Sequence, residues 1–433
     1  MSIMDACRLT ATQAAAQIRE GKLTCEELVR SCLERIQSRD AVVRAWLHVD
    51  PELALRQARE LDKSPPRGVL HGLPIGVKDV IDTVDLPTTQ NSAIYPDLRV
   101  GRDAACVAIA RGRGALILGK TDTVEFASSG RKALSRNPHN PEHTPGGSSS
   151  GSGAAVADFM VPLAFGTQTG GSLVRPAAFN GIYGIKPTWN RVSREGVRMS
   201  AISLDTVGWY GRSVSDLELM AEALGIAAES SAELSVQKLR VGVCRSPVWS
   251  EIEPAGAAAL EQSARRLEEA GAQVEELALP SLFDGLPEAQ TVIAAREGGI
   301  SFLPEYVNAH ALLSADLRAK VENADKISND ALLRAYALAD ACRPIFDRLF
   351  GDSLDVILTP AAPGEAPRGL HTTGSAVFNR MWTLLHVPCV AIPAGRGAGG
   401  LPVGVQLVGP RMTDARLLAI ARVLAPVIDP GAA

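Results

Sequence analysis

Residues 146–172, GGSSSGSGAAVADFMVPLAFGTQTGGS, constrain this chain more than any other stretch. Two glycine-serine clusters, 146–153 and 166–172, bracket a run (154–165) too apolar for a flexible linker. Glycines let the backbone take positive φ and come close to a ligand. Hydroxyls sit beside them, and consecutive N–H groups in such turns can point at one anion. Acyl transfer needs that combination, a serine nucleophile next to an oxyanion site. The competing readings are a Gly/Ser linker and a phosphate cradle, although the G-x-x-x-x-G-K-[ST] pattern is missing.

Composition narrows the function classes. The chain has 433 residues, enough for a large core or two to three domains by length alone. A net charge of −4 favours neither nucleic acid nor an anionic membrane, and 4% aromatic content argues against base stacking. Seven scattered cysteines with no C-x-x-C pair argue against a disulfide framework or a zinc site, and seven dispersed histidines hold no H-E-x-x-H. Cys25 and Cys32 share a helix-face spacing that fits core packing. The N-terminus shows no signal-peptide pattern, and no apolar run approaches the ~18 residues needed to span a bilayer. A cytoplasmic location is therefore expected.

Along the chain, Thr10…Gln13 and Thr24…Glu27 fit capping boxes for two helices in 9–38, and 52–62 reads as a third. Together they predict an N-terminal helical arm over about 1–62, packed on the core or on a second subunit of a homodimer. Strands are expected at 73–79, 115–119, 239–244, 273–279, 355–358, 388–393 and 402–408. Helices are expected at 105–112, at 254–270, at 413–424 and from a cap at Ser215…Glu218 to Leu224. Residues 226–238 read as a surface connection. Residues 286–350 read as mostly helical, with breaks near Gly299, Leu313 and Ser328, within a lobe of about 226–350. Strands alternating with helices predict one α/β domain over 1–433, a mixed β-sheet covered by helices on both faces.

Several segments resemble the amidase signature family of serine hydrolases: GLPIGVKD (72–79), PGGSSSGSGAAVA (145–157), GTQTGGS (166–172), RPAAFNGIYGIKPT (175–188), SLDTVGWYGRSVSD (203–216) and GLPVGVQLVGP (400–410). The likeness spans about 5–425 in order. It implies the α/β/α amidase signature fold and a Ser–Ser–Lys triad, with Ser172 as nucleophile, Ser148 as bridge and Lys78 as base. It also implies a cis peptide at Gly147–Ser148 and an oxyanion hole from the N–H groups of Thr169, Gly170, Gly171 and Ser172. Ser149 is expected to support the network, and Ser150 to be a loop hydroxyl. Without the resemblance, Lys78 would read as a solvated lysine paired with Asp79. A lysine amine titrates near ~10.4, so it is a base at neutral pH only when burial lowers that value. No metal or organic cofactor is called for. The expected partners are a small amide and water.

Two departures from the family's common pattern stand out. Gln168 replaces an aspartate, and Arg175 falls three residues past Ser172 rather than two. GTQTGGSLVRPA resembles the malonamidase-type branch, which implies that Arg175 clamps a substrate carboxylate through its bidentate fork. The competing reading is a structural salt bridge near Pro176. The resemblance leaves two functions open: a free-standing amidase, or the amidase subunit of a tRNA-dependent amidotransferase.

Overall fold

The computed structural model describes residues 3–226, 234–351 and 353–432. Its strands are β1 (Trp46–Val49), β2 (Pro74–Lys78), β3 (Leu116–Thr121), β4 (Leu163–Gln168), β5 (Tyr183–Lys186), β6 (Thr206–Gly211), β7 (Arg240–Val243), β8 (Gln273–Glu276), β9 (Val356–Pro360), β10 (Cys389–Arg396) and β11 (Pro402–Val408). Among the described residues they form one 11-stranded sheet, ordered β1-β3-β2-β4-β6-β5-β10-β11-β9-β7-β8.

Every residue of β2, β3 and β4 is buried, as in strands whose sheet is covered on both faces. β2 runs parallel to β3 and β4, and parallel neighbours need a crossover. Helices Ala105–Gly112 and Ser150–Ala157 supply it. The second half repeats the device, with β7 parallel to β8 across helix Pro254–Glu269. β10 and β11 form the expected antiparallel pair. The result is the mixed, helix-flanked sheet that the alternation predicts.

Both N-terminal capping boxes form. Thr10 N donates to Gln13 Oε1 at 3.0 Å, and Thr24 N to Glu27 Oε2 at 2.8 Å. The arm packs on the core: Thr12 N donates to Asp216 Oδ1 at 2.9 Å, and Arg212 Nη2 to the Cys7 carbonyl at 3.0 Å. Cys25 and Cys32 are buried there.

Three details differ from the sequence reading. Helix Val214–Ala223 is capped by Ser213, not Ser215: Ser213 Oγ accepts from Asp216 N at 3.1 Å, and the Asp216 carboxylate turns back to the N–H of Arg212 at 3.0 Å. Gly299 does not break its helix, which runs from Leu286 to Ser301. A Cβ there would lie 2.7 Å from the Lys320 carbonyl, so this glycine admits a crossing helix. Finally, the strands expected at 239–244 and 273–279 join the main sheet as β7 and β8, so the lobe drawn over about 226–350 shares its first part with the sheet. Of the expected surface connection, 227–233 lie outside the described residues.

Candidate active site

β2, flanked by β3 and β4, carries Lys78 at its end, fully buried. Its Nζ donates to Ser148 Oγ at 2.8 Å and to Thr167 Oγ1 at 2.7 Å. Asp79 is not its partner. Successive strand side chains point to opposite faces, and Asp79 pairs instead with buried Lys120 at 3.0 Å. Burial pushes the Lys78 amine well below the ordinary lysine value, while the charge of Asp205 pulls the other way. Two hydroxyls and no bonded carboxylate suit a neutral amine.

Ser148 follows a cis peptide at Gly147–Ser148 and precedes helix Ser150–Ala157. Its carbonyl accepts from Thr123 Oγ1 at 3.0 Å and from Val124 N at 3.3 Å, so the residues after β3 hold it in place. A Cβ on Gly147 would lie 2.6 Å from Thr373 Cγ2, leaving no room for a side chain. Ser149 braces the neighbouring strand: its Oγ accepts from Thr167 N at 3.2 Å and donates to the Thr167 carbonyl at 3.1 Å. Ser150 opens helix Ser150–Ala157 rather than standing in a loop, and its hydroxyl is buried with no hydrogen-bond partner among the described residues.

The 169–172 loop leaves β4 and enters helix Val174–Asn180. Each of its carbonyls is engaged. Thr169 O accepts from Gln290 Nε2 at 2.8 Å, Gly170 O from Thr383 Oγ1 at 2.7 Å, Gly171 O from Arg175 N at 3.0 Å and Ser172 O from Tyr210 Oη at 3.3 Å. Among the described residues, the N–H groups of 169–172 have no acceptor within the chain. Held carbonyls with unclaimed donors are what a preorganised anion site requires. Gln168, in the place of the family's aspartate, accepts from the N–H of Leu173 at 2.9 Å and of Val174 at 3.0 Å, and donates to Thr383 Oγ1 at 2.9 Å. An ionised carboxylate could not make that last bond.

Ser172 is half-buried, and its hydroxyl makes no hydrogen bond within the chain among the described residues. The structure therefore joins Lys78 to Ser148 directly but does not bond Ser148 to Ser172. Arg175 ties the two serine loops together. Its N–H holds Gly171, while its Nη2 donates to the Gly147 carbonyl and, at 3.1 Å, to Thr373 Oγ1. The salt bridge considered near Pro176 is not made among the described residues. Burial lowers the Arg175 guanidinium to about 10, and the like charge of Arg380 adds to the effect.

Sequence reasoning passed over Thr167, Asp205, Gln290, Asn379 and Thr383. Thr167 was within reach, a hydroxyl inside the GTQTGGS motif one strand away from Lys78. Asp205 accepts the Thr169 hydroxyl and the Ala201 N–H, and burial pushes its carboxyl up to about 6. The other three come from distant helices and leave no local signal.

A buried lysine amine on a serine hydroxyl, beside a serine loop with unclaimed amides and inside this sheet, suits a hydrolase of amide C–N bonds. The amidase family profile matches residues 27–418, and the chain belongs to that family. It is 31% identical to a glutamyl-tRNA(Gln) amidotransferase chain of Salinispora tropica, with 98% of each chain covered. It is 34% identical to the 2-amino-5-chloromuconic acid deaminase of Comamonas testosteroni, covering 99% of this chain and 98% of the other. A solved amidase structure superposes with a TM-score of 0.86 at 29% identity, over 96% of this chain and 99% of that one.

Proposed function

We propose that the protein hydrolyses the C–N bond of a small amide through an acyl-enzyme on Ser172. The supporting observation is the fully buried Lys78 amine, 2.8 Å from Ser148 Oγ. Ser172 Oγ attacks the amide carbonyl and passes its proton to Ser148, whose own proton goes to Lys78. The new oxyanion is taken by the N–H groups of 169–172, where losing one donor typically costs ~2.7–4 kcal/mol in the barrier. The proton then returns through Ser148 to the leaving nitrogen as the C–N bond breaks, and water cleaves the ester. The Ser172–Ser148 bond forms on substrate binding, as catalytic hydrogen bonds often tighten only in the complex.

Arg175 gives the pocket a positive wall suited to a carboxylate-bearing amide, in line with the malonamidase-like GTQTGGSLVRPA motif. The relative named as a deaminase of a chlorinated aminomuconic acid points the same way. A second reading, the amidase subunit of a tRNA-dependent amidotransferase, is favoured by the amidotransferase relatives at 30–34% identity. Gln168 and the displaced arginine weigh against it.

Fluorophosphonate labelling with mass-spectrometric mapping, run beside an amide panel, tests the proposal. Label on Ser172 is expected, together with loss of at least ~10⁴-fold in kcat for Ser172→Ala and for Lys78→Ala. Label on another residue, or an active Ser172→Ala enzyme, would overturn it. Glutaminase activity that appears only with added partner proteins would favour the second reading.

A further inference from the structure

The Asp205 carboxylate is buried beside the loop that follows β4. Its Oδ1 accepts from the Thr169 hydroxyl, and its Oδ2 from the N–H groups of Ser200 and, at 2.9 Å, of Ala201. These donors are all neutral, and among the described residues the carboxylate makes no ion pair. The cations around it are engaged elsewhere. Arg194 Nη1 donates at 3.2 Å to the Asp205 carbonyl, not to the carboxylate. Arg198 is held by Glu305, and Lys320 Nζ donates to Ser128 Oγ at 2.7 Å. Glu297, the other acid on this side, takes the Ser203 N–H and the Tyr336 hydroxyl.

Through Thr167, Asp205 faces Lys78. β4 and β6 run antiparallel with Gln168 opposite Thr206, so Asp205 comes level with Thr169. Thr167 and Thr169 are two apart, which puts their side chains on one face. With Asp205 they line a crevice that holds no volume a water molecule could fill. Thr167 Oγ1 also accepts from Lys78 Nζ at 2.7 Å. A buried charge without a partner is costly. Asp205 carries that cost in the resting enzyme, and Lys78 takes on the same cost when the serine proton reaches it. Attraction across a dry gap offsets both.

We propose that Asp205 is a positioning residue for the hydrolysis: its clamped carboxylate is the fixed counter-charge for the ammonium that Lys78 becomes. As Ser172 Oγ bonds to the carbonyl carbon, its proton passes through Ser148 to Lys78. The amine becomes an ammonium, while Asp205 stays ionised and receives no proton. The proton returns by the same route to the leaving nitrogen. This rests on the amide-hydrolase reading above and adds the group that supports its base.

The test follows the rate at which a fluorophosphonate labels Ser172 as the pH is varied, which reads activation of the nucleophile directly. Asp205→Asn removes the charge and keeps the shape. Its amide oxygen can accept both N–H groups, and its NH₂ can donate to the Thr169 hydroxyl. Labelling should slow roughly tenfold or more. The acid limb should move to lower pH, because an amine without a nearby anion sheds its proton more readily. Thr169→Val keeps the carboxylate but removes a donor that favours its ionised form, so the limb should move to higher pH. Thr169→Ser should restore the wild-type limb. A residue that only supported the fold would change the fraction of sites that label and leave the limb in place. A limb that stays put or moves the other way in Asp205→Asn, or in Thr169→Val if Asp205→Asn does not fold, overturns the proposal. Label still found on Ser172 then leaves the amidase reading standing. A wild type that does not label at Ser172 brings down that reading, and this proposal with it.

Discussion

At the scale of single residues, the site depends on keeping one amine dry. Lys78 is bonded to two hydroxyls that accept from it and to no carboxylate. The unfolded chain exposes the same amine to water, where it titrates near ~10.4. Between its lowered folded value and ~10.4, the unfolded state therefore binds more protons than the folded one. Stability must rise with pH across that window and flatten above it. Lys78→Met removes the proton that folding has to expel. Its melting temperature relative to wild type should be most favourable at the low end of the window and converge as the pH nears about 10. Urea or thermal melts across that range measure the difference, and parallel profiles would mean that the amine stays charged in the folded state. Lys78, Ser148 and Ser172 were singled out through the family resemblance of their motifs, while local chemistry alone read Lys78 as a solvated lysine. The Lys78–Asp79 pairing which that local reading favoured is not made, because Asp79 pairs with the buried Lys120 of β3. Asp205 was not legible, because its partner Thr169 is brought to it by the pairing of β4 with β6.

At the scale of elements, what lies within four residues was readable and what lies across a packing interface was not. The capping boxes of the arm formed as the spacing predicted, because both partners belong to the same turn. Ser213 was overlooked in favour of Ser215, a rival of the same chemistry two residues on. Gly298 and Gly299 show the limit more sharply. Side by side they look like a helix break, yet the helix continues through both, and only the second lies against a backbone closely enough to exclude a Cβ. A Cβ on Gly298 meets Lys320 Cδ at 3.5 Å, an ordinary contact with the flexible part of a side chain. One on Gly299 lies 2.7 Å from the Lys320 carbonyl. Gly298→Ala should therefore be neutral or stabilise by up to ~1 kcal/mol, the difference in helix propensity. Gly299→Ala should cost ~1–3 kcal/mol, as overpacking does. Denaturant melts of the two variants decide it, and equal effects would show that the helix crossing at Lys320 plays no part.

At the scale of the whole molecule, helices Leu286–Ser301 and Asn329–Asp347 add side chains to the main core, while Phe302, Leu313 and Leu317 close with Phe126 over a second, small apolar cluster separate from it. The polar contacts around it are specific. Arg198 Nη2 donates to Glu305 Oε2 at 2.8 Å, and Tyr95 Oη to Glu305 Oε1 at 2.8 Å. The Arg198 guanidinium also lies over Phe126 at 5.1 Å and over Phe302 at 5.4 Å. Nothing in the sequence links positions 95, 198 and 305, which come together only once the sheet has formed. Glu305 is the pivot, buried and shared by two partners. Glu305→Ala leaves Arg198 without its anion, and losing one partner of a buried pair costs ~3–5 kcal/mol. Because this cluster stands apart from the main core, the cost should fall locally. Hydrogen exchange should quicken across 302–321 and stay unchanged in β4. The same helices supply Gln290, which holds the Thr169 carbonyl, so KM should rise in this variant while fluorophosphonate still labels Ser172. Equal acceleration of exchange in β4 and in 302–321 would show instead that these helices and the sheet unfold as one unit, with Glu305 serving the fold rather than the mouth of the site.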